Sequence, residues 1–581
     1  MRTVQITLNK RQVLVPENIT IMEAARLNGI SLPSLCHHPD QKVKANCRVC
    51  VVEVEGVKNL VPSCSTKVFQ GMKVTTNSPR VRETVRTIVE LILADHPQEC
   101  LTCIRGGECE LRQLANKLGM KEVQGVKTKG LLPVDLSTAA LVRDPNKCIK
   151  CGRCAEVCHH IQEVGILYSH NRGLDISVTP EYGKELKDVA CVLCGQCVLA
   201  CPVGAIYEKD ETDKVWEALA NPEKHVVVQV APSVRVSIAE EFGRPPGSIA
   251  TPKLVSALRL LGFDRVFDTD FAADLTIMEE GHELLRRIQK GGVLPMITSC
   301  SPGWIKYIEH FYPELLPHVS SCKSPQQMFG AMAKSYYAKI SGIDPKDIYV
   351  VSVMPCTAKK YEAARPEMQD SGYRDVDAVL TTRELGRMLK HEGIDFNHLE
   401  ESEFDLPLGI STGAAAIFGA TGGVMEAALR TVYEVVTGKT LEKLEFEGVR
   451  GMEGVKASAV DLAGREVKVA VAHGLAHAKQ IMEAIAAGEA DYTFIEVMCC
   501  PCGCIGGGGQ PYGTTNAVRT KRIQGLYEVD QKMPLRKSHE NPAIQKLYED
   551  YLEAPLSRRS HELLHTTYTN RCRHEMNLPA Q

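Results

Sequence analysis

The sequence lacks the features that would place the chain in a membrane or on nucleic acid. Its 581 residues contain no apolar run of about 18 residues, the length that a membrane-spanning helix needs. The N-terminal stretch MRTVQITLNK has neither the apolar core of a signal peptide nor a twin-arginine motif, so we expect a cytoplasmic protein. A formal net charge of only −3 gives no electrostatic reason to expect nucleic acid or an anionic membrane as partner.

Nucleotide-binding fingerprints are also missing. No G-x-G-x-x-G motif follows a predicted strand, and the glycines Gly506–Gly509 are not followed by the Lys-Ser/Thr pair of a phosphate loop. We therefore expect that this chain does not itself bind NAD(P). At 581 residues it exceeds what one hydrophobic core organises, so three or more domains are expected.

Cysteine, by contrast, is abundant. The chain has 23 cysteines, an odd number, and most are grouped two or three residues apart. In a large chain without a secretion signal, disulfides are the weaker explanation for such groups. Short loops that bring several thiolates to one metal ion or cluster are typical of zinc sites and Fe–S sites. The cysteines therefore predict metal binding.

The first group lies in a strand-rich segment with one predicted helix, IMEAARLNGI. Its spacing is Cys36-x10-Cys47-x2-Cys50-x13-Cys64. A close pair with two outlying cysteines in such a domain indicates a [2Fe–2S] cluster, with a zinc ribbon as the alternative. A predicted helix, VRETVRTIVELILADH, then leads to His96-x3-Cys100-x2-Cys103-x5-Cys109. One histidine and three cysteines suit zinc as well as a [4Fe–4S] cluster.

The next groups form an internal duplication after a polar segment, residues 110–140, that is predicted to be a linker. The two runs are Cys148-x2-Cys151-x2-Cys154-x3-Cys158 and Cys191-x2-Cys194-x2-Cys197-x3-Cys201-Pro202. In two-cluster ferredoxins the fourth cysteine of each run binds the other cluster. We therefore expect Cys201 to complete the first [4Fe–4S] site and Cys158 to complete the second. Four clusters in series would form a relay for electrons.

From about residue 211 the pattern changes to alternating strands and helices. Apolar runs such as HVVVQVAP, DIYVVSVMP and EVKVAVAHG alternate with helical segments such as TPKLVSALRLLG. This alternation predicts an α/β domain with a largely parallel sheet. The cysteines of this half concentrate at three strand-to-loop transitions: Thr298-Ser299-Cys300-Ser301-Pro302, Met354-Pro355-Cys356-Thr357, and Met498-Cys499-Cys500-Pro501-Cys502-Gly503-Cys504. Thiolates on three loops, with four glycines beside the last, suit a cofactor buried between lobes.

These three loops together resemble the signature loops of iron-only ([FeFe]) hydrogenases. The resemblance extends over essentially the whole chain, including KSPQQMFG, TGGVMEAALR and RKSHENP. The first two cysteine groups are similar to those of large hydrogenases and of one respiratory NADH dehydrogenase subunit, which implies a [2Fe–2S] cluster followed by a one-His/three-Cys [4Fe–4S] cluster. The N-terminal domain also resembles that of subunits in NAD(P)-linked, electron-bifurcating hydrogenase complexes.

The resemblance implies the following domains: a β-grasp-like [2Fe–2S] ferredoxin domain at 1–78, a one-His/three-Cys [4Fe–4S] domain at 79–125, a two-[4Fe–4S] ferredoxin-like domain at 140–210, and a two-lobed α/β H-cluster domain at 211–581. The expected overall class is thus α+β and α/β, multidomain. The H-cluster joins a [4Fe–4S] cubane, through one cysteine sulfur, to a diiron unit with CO, cyanide and an amine-dithiolate bridge.

By position, the resemblance makes Cys356, Cys500 and Cys504 cubane ligands, with Cys504 bridging to the diiron unit. Lys359 falls on the lysine that hydrogen-bonds a cyanide, a charge-assisted contact, and Met354 and Met498 are expected beside the cofactor. The family's proton path maps onto Glu280, Glu283, Arg287 and Ser320. Two solvent-exposed glutamates on a helix are the alternative interpretation of the first two.

The first loop departs from the family pattern. Where the family has a Cys-Cys pair, one relaying protons and one binding the cubane, this chain has Cys300-Ser301. Strict register makes Cys300 the relay and Ser301 the ligand, although an alkoxide is a harder and more basic ligand than thiolate. A local shift would instead make Cys300 the ligand and Ser301 the relay. Cys499 and Cys502 are extra thiols, either spare ligands or buried small residues.

Three functions compete at this point. The first is a reversible hydrogenase (2H+ + 2e− ⇌ H2) fed by four accessory clusters. The second is a purely electron-transferring subunit, which leaves the three C-terminal loops unexplained. The third is an H2 sensor or an Fe–S assembly protein, since an altered relay would suit a sensor. For the hydrogenase, the expected redox partners are flavin- and NAD(P)-binding subunits of a complex, with a ferredoxin-dependent monomer as the alternative.

Overall fold

The computed structural model describes residues 2–120, 131–462 and 464–572. The N-terminal domain is a five-stranded mixed sheet in the order β2-β1-β5-β3-β4, with β1 and β5 parallel. Alternating buried residues of β1 face the helix, as half-buried strands require. Its elements are β1 Thr3–Leu8, β2 Arg11–Pro16, α1 Ile21–Leu27, β3 Val51–Val54, β4 Val61–Pro62 and β5 Lys73–Thr75.

Two helices follow, α2 Pro79–Ala94 and α3 Glu110–Lys117. Ser78 caps α2 by accepting a hydrogen bond from the Val81 N–H, and a proline occupies the first helical position. The expected linker over 110–140 is therefore wrong at its start, because Leu111, Leu114 and Ala115 bury one face of α3. Its Gly/Lys-rich part, residues 123–130, lies outside the described residues.

The duplicated cysteine runs lie in a small domain with two short antiparallel strand pairs. Its elements are β6 Leu141–Arg143, α4 Arg153–Glu156, β7 Tyr168–His170, β8 Ser177–Thr179, α5 Gln196–Ala200 and β9 Ile206–Glu208. Each short helix begins after a glycine in the left-handed region, Gly152 and Gly195. Each glycine lies between cysteines of one run, and the turn allows the cysteines before and after it to border the same cavity.

The remaining chain forms two α/β lobes, each with a four-stranded sheet. The first sheet, β11-β10-β13-β14, is wholly parallel. The second, β12-β17-β16-β15, is parallel except for β15. The strands are β10 His225–Val230, β11 Arg265–Asp268, β12 Met296–Ile297, β13 Ile348–Met354, β14 Ala378–Thr381, β15 Val455–Leu462, β16 Arg465–His473 and β17 Phe494–Met498.

Helices cover both sheets, so the mixed α/β class expected from the sequence is confirmed. They are α6 Thr212–Leu219, α7 Thr251–Leu260, α8 Thr269–Lys290, α9 Pro302–Phe311, α10 Pro325–Met332, α11 Ala338–Ser341, α12 Ala358–Ala363, α13 Thr382–His391, α14 Gly413–Ala416, α15 Gly423–Thr437, α16 Leu475–Ala486, α17 Asn516–Lys532, α18 Pro542–Leu547 and α19 Arg558–Leu564. Across the described ranges, none of the helices is both long and apolar enough to span a bilayer.

Candidate functional site

The four cysteines of the N-terminal domain lie together. The thiols of Cys36 and Cys47 are within hydrogen-bonding reach of each other, as are those of Cys50 and Cys64. The hydrogen bond from the partner thiol lowers the pKa of Cys36 to about 5 and that of Cys50 to about 6. Closely packed thiols, two of them readily ionised, suit a metal cluster, because thiolate is the ligating form.

Three of the four residues of the expected one-His/three-Cys site, His96, Cys103 and Cys109, lie in one neighbourhood. The ring of His96 has a buried Nδ1 with no hydrogen-bond partner among the described residues, and burial lowers its pKa. A neutral ring with a free nitrogen is the form that binds metal. Lys147 faces both His96 and the thiol of Cys103, and Cys103 in turn faces Cys109. These side chains therefore border one site.

The duplicated runs enclose two separate cavities. The first is bordered by the thiols of Cys148, Cys151, Cys154 and Cys201. The second is bordered by those of Cys158, Cys191, Cys194 and Cys197. The last cysteine of each run thus lies in the cavity of the other run, as expected from the ferredoxin pattern. None of the 23 cysteines of the chain, all of which lie in the described ranges, forms a disulfide.

A further cavity lies between the two α/β lobes. The loops that follow β12 and β17 of one sheet and β13 of the other converge on it, so it lies at the carboxyl ends of parallel strands. Its border includes these predicted site residues: Cys300, Ser301, Cys356, Lys359, Met498, Cys500 and Cys504. Met354 does not border it in this structure; its side chain packs into the core of the first lobe.

The chemistry of this cavity suits a cationic cluster. Burial raises the pKa of Cys504 to about 12, and the neighbouring Cys500 thiol contributes. Burial likewise raises the pKa of Cys356 well above its ordinary value. Thiolates this close together in an apolar site repel one another unless a cation lies between them. The donor set therefore fits a buried Fe–S cluster.

Cys300 and Ser301 face different neighbours. The thiol of Cys300 lies near Glu280, Cys504 and Lys359. Ser301 faces the third loop, where its Oγ accepts a hydrogen bond of 3.2 Å from the backbone N–H of Cys499. Cys300 therefore lies beside the buried acid, whereas Ser301 contacts the third loop.

Lys359 borders the cavity with its ammonium held in place. Its Nζ donates to the carbonyl oxygen of Cys300 at 3.2 Å and to Oε2 of Glu362 at 2.9 Å. Glu362 also accepts hydrogen bonds from Ser324 and Gln326 of the KSPQQMFG segment. Sequence reasoning missed Glu362, although its position three residues after Lys359 on a helix could have indicated the pair.

The side chains of the predicted proton path lie near one another, three of them on α8 and Ser320 on the segment packed beside it. Glu280 is buried, and neither carboxylate oxygen has a hydrogen-bond partner in the described structure. Burial, assisted by the charge of Glu283, raises the pKa of Glu280 to about 8. Oε2 of Glu283 accepts from Ser320 Oγ at 2.9 Å, and its Oε1 accepts from Arg287 Nη2 at 2.6 Å. Both glutamates are buried, so the surface interpretation is wrong.

A second buried carboxylate, Glu496, was missed by sequence reasoning. It lies on β17, and its two oxygens accept hydrogen bonds of 2.7 Å from the backbone N–H groups of Gly422 and Met425. These groups form the start of α15, where the helix dipole favours a negative charge. Glu496 therefore ties the TGGVMEAALR segment to the strand that carries the third loop.

The two-cluster domain packs directly against the cavity between the lobes. Cys194 borders both the second ferredoxin cavity and this one. Nearby, Thr357 Oγ1 donates to the carbonyl of Leu193 at 2.7 Å, and Gln196 Nε2 donates to the carbonyl of Gly506 at 2.8 Å. A Cβ on Gly508 would lie only 2.3 Å from the carbonyl oxygen of Cys194. Glycine is thus required for this close approach.

Comparison with protein families divides the chain into matched segments. Residues 224–508 match "Iron only hydrogenase large subunit, C-terminal domain", and 516–571 match "Iron hydrogenase small subunit". Residues 1–79 match a 2Fe-2S iron-sulfur cluster binding domain and 144–205 a 4Fe-4S dicluster domain. Residues 86–124 match the "NADH-ubiquinone oxidoreductase-G iron-sulfur binding region".

Individual relatives agree with these matches. The chain is 51% identical to the NADP-reducing hydrogenase subunit HndD of Solidesulfovibrio fructosivorans, over 99% of this chain and 100% of that one. It is 43% identical to iron hydrogenase 1 of Clostridium pasteurianum, over 97% and 99%. Among solved structures, a variant of the [FeFe]-hydrogenase HydA1 of Chlamydomonas reinhardtii matches with a TM-score of 0.57 and 47% identity, over 63% of this chain and 100% of that one.

Proposed function

Because the chain belongs to the iron-only hydrogenase family, we propose that it is the catalytic subunit of an NAD(P)-linked, electron-bifurcating hydrogenase complex. Like its named relatives, the chain is an oxidoreductase that acts on H2. The observation that supports the proposal most directly is the buried cavity between the lobes. It combines thiols from three loops with the ammonium of Lys359 and the buried acid Glu280.

The accessory domains carry one [2Fe–2S] and several [4Fe–4S] sites in this proposal, within the domain limits given above. The four sites would be held by sixteen side chains: Cys36, Cys47, Cys50, Cys64, His96, Cys100, Cys103, Cys109, Cys148, Cys151, Cys154, Cys158, Cys191, Cys194, Cys197 and Cys201. When bound in the cavity between the lobes, the H-cluster supplies an iron site for the conversion of protons and electrons into H2. Cys356, Cys500 and Cys504 would hold it there.

Proton movement follows from the side chains that line this cavity. Glu280 is protonated at neutral pH, because burial raises its pKa to about 8, so it can donate a proton towards Cys300. Ser320 and Glu283 lie close to Glu280, and they are hydrogen-bonded in turn to each other and to the partly exposed Arg287. Lys359 presents a fixed positive charge to an anionic ligand of the cofactor. We assign Cys300 as the relay, in agreement with the strict register.

Electrons would enter through Cys194, since this thiol borders both the last accessory cavity and the catalytic one. The hydrogen bonds of Thr357 and Gln196 keep the two loops in contact. Close packing of this kind suits electron transfer between neighbouring clusters. The N-terminal clusters would receive electrons from flavin- and NAD(P)-binding subunits, and we propose a cytoplasmic location for such a complex.

The test is anaerobic purification after maturation, with infrared spectroscopy for CO and cyanide stretches and an H2 assay. We expect those bands together with reversible H2 turnover. Properly matured protein without the bands would rule out the hydrogenase proposal. The partner is tested separately, by adding purified flavin-containing subunits with NADP+ or reduced ferredoxin alone. Turnover with ferredoxin alone, unaffected by the subunits, would favour the ferredoxin-dependent monomer.

A further inference from the structure

The cavity between the lobes has an unusual donor set. Three of its thiols, those of Cys356, Cys500 and Cys504, coincide with the expected cubane ligands, but the fourth expected position holds Ser301. A cubane iron prefers sulfur, because thiolate is softer and far more easily formed than alkoxide. The hydroxyl of Ser301 is moreover already engaged, since it accepts the Cys499 N–H.

A further thiol borders the same cavity next to this serine. The side chain of Cys499 lies within hydrogen-bonding reach of the thiols of Cys500 and Cys194. It is buried, with 3% of its surface exposed. Space for its sulfur is left by Gly303, where a Cβ would lie 2.7 Å from Cys499 Sγ. Ser301 and Cys499 are thus neighbours in space, although 198 residues separate them in the chain.

We propose that Cys499 supplies the fourth cysteine ligand of the cubane, in place of Ser301. The inference rests on the proposed function, since it assumes a cubane in this cavity. In this proposal the fourth ligand thiol comes from the third loop instead of the first, and it borders the cavity next to Ser301. Both the site and its four-sulfur donor set are retained, while Ser301 becomes the hydrogen-bond acceptor that orients the Cys499 backbone.

The surroundings of Cys300 argue against it as the fourth ligand. Its thiol faces Glu280 and Lys359 as well as Cys504, whereas the thiol of Cys499 faces other thiols, those of Cys194 and Cys500. Among the described residues that border the cavity, Cys300 is the thiol beside the buried acid Glu280. If Cys300 bound the cubane, this thiol would no longer be available to relay protons. Cys499 also does not border the second ferredoxin cavity, whose four thiols are complete without it. Its sulfur is therefore available to the catalytic cavity.

The experiment uses the full chain, produced anaerobically without the diiron maturation factors, so that only cubane and accessory clusters are present. Iron and sulfide are counted, and the reduced protein is examined by EPR and Mössbauer spectroscopy. Four variants are compared with the unmodified chain: Cys499→Ala, Ser301→Ala, Cys502→Ala and the double variant Cys499→Ala/Ser301→Cys. Cys502 is the matched control, because it is a buried thiol of the same loop that borders a different cavity.

We expect Cys499→Ala to lose the iron and sulfide of one [4Fe–4S] cubane. The EPR and Mössbauer signals of that cubane should be lost with them. Ser301→Ala and Cys502→Ala should keep both. The double variant should recover the iron, because Ser301→Cys returns a thiol to the same corner. Such recovery also shows that the loss in Cys499→Ala is not a folding defect. It further excludes a role of Cys499 in the ferredoxin cavity, which Ser301 does not border.

Several results would overturn the inference. Iron lost from Ser301→Ala but not from Cys499→Ala would make the serine the ligand, and full iron in both variants would assign neither. Loss from Cys499→Ala without recovery in the double variant would also contradict the exchange of ligands. A Cys356→Ala variant separates this inference from the proposed function. If Cys356→Ala keeps all its iron, the cavity holds no cubane and the proposed function fails; if only Cys499→Ala keeps its iron, the inference alone fails.

Discussion

Two adjacent glutamates on α8, Glu279 and Glu280, have opposite surroundings although the sequence presents them as a pair. Glu279 accepts hydrogen bonds from Tyr548, Ser560 and the backbone of Leu556, and its Oε2 lies 3.2 Å from His565 Nε2. These contacts outweigh the effect of burial and lower its pKa. Glu280 lacks such partners among the described residues, and burial raises its pKa to about 8. One acid is structural, and the other can exchange protons.

Glu280→Gln should therefore abolish turnover and leave the site assembled. The amide has the size of the carboxyl group but cannot release a proton, so we expect H2 evolution to fall by about 10²-fold or more. Iron content and the CO and cyanide bands of the matured variant should be unchanged. An H2-evolution assay and infrared spectra of the same preparation provide the measurement. Turnover within twofold of the unmodified enzyme would remove Glu280 from the proton route.

Glu279→Gln should have the reverse effect. It weakens a buried hydrogen-bond network at a cost of about 2 kcal/mol, which we expect to lower the Tm by about 3 °C at neutral pH. Because the folded-state pKa of Glu279 is lowered, the stability it contributes is present above its unfolded pKa and is lost as the pH falls through the folded value. The difference in Tm between variant and parent should thus shrink in acid. A difference that grows in acid would contradict this assignment.

At the scale of elements, the loops that follow β12, β13 and β17 show how the two sheets build one site. Each strand ends at the same edge of its parallel sheet, and the two edges face each other across the cavity. The glycines after Cys504 are needed because backbone, and not side chain, fills the space around them. A Cβ on Gly507 would lie 2.2 Å from the Pro355 carbonyl, and one on Gly508 would lie 2.3 Å from that of Cys194.

Gly508→Ala should therefore weaken the contact between the accessory domain and the catalytic site. The added methyl group pushes the Cys194–Gly195 turn away, so we expect slower electron transfer with little change in chemistry at the H-cluster. H2 evolution driven by reduced methyl viologen should fall several-fold, while H2/D2 exchange, which needs no external electrons, should persist. Gly107→Ala serves as the control, because a Cβ there meets nothing within 4 Å. Equal loss of both activities would indicate damage to the active site itself.

At the scale of the whole molecule, the accessory domains are joined to the catalytic lobes by several polar contacts. Asp40 of the first domain accepts hydrogen bonds from Arg519 and from the backbone of Asn516 on α17. Lys306 Nζ donates to the carbonyl of Cys191. Two solved hydrogenase structures align over 98–100% of their own length but over only 61–63% of this chain. The catalytic lobes are therefore expected to fold without the rest.

A chain that begins at residue 211 should keep the catalytic site but lose its physiological electron supply. We expect the CO and cyanide bands and H2/D2 exchange to remain after maturation. Electron transfer with flavin-containing subunits and NADP+ should fall to background, because the proposed relay is gone. Exchange assays and NADP+ reduction on the two chain lengths provide the comparison. NADP+ reduction by the short chain at the full rate would refute the relay.

Much of this protein follows from sequence because cluster ligands are arranged by local spacing. The groups around Cys50, Cys103, Cys151 and Cys194 each lie within short segments, so their grouping, the mixed α/β class and the family resemblance can all be inferred from the order of residues alone. The contact between Cys158 and the second run is predictable for the same reason, since the two-cluster pattern has a fixed local geometry. Ligand identity at these sites stays a prediction.

Other features depend on segments that are distant in the sequence and are brought together only by the two sheets. No spacing rule relates Ser301 to Cys499, yet the adjacent strands β12 and β17 place their loops side by side. Likewise, only packing distinguishes Glu280 from Glu279, because a pKa depends on what surrounds the carboxyl group and not on its neighbours in the chain. The sequence determined that thiols converge in this half of the chain, and the tertiary structure decided which thiol lies beside the serine.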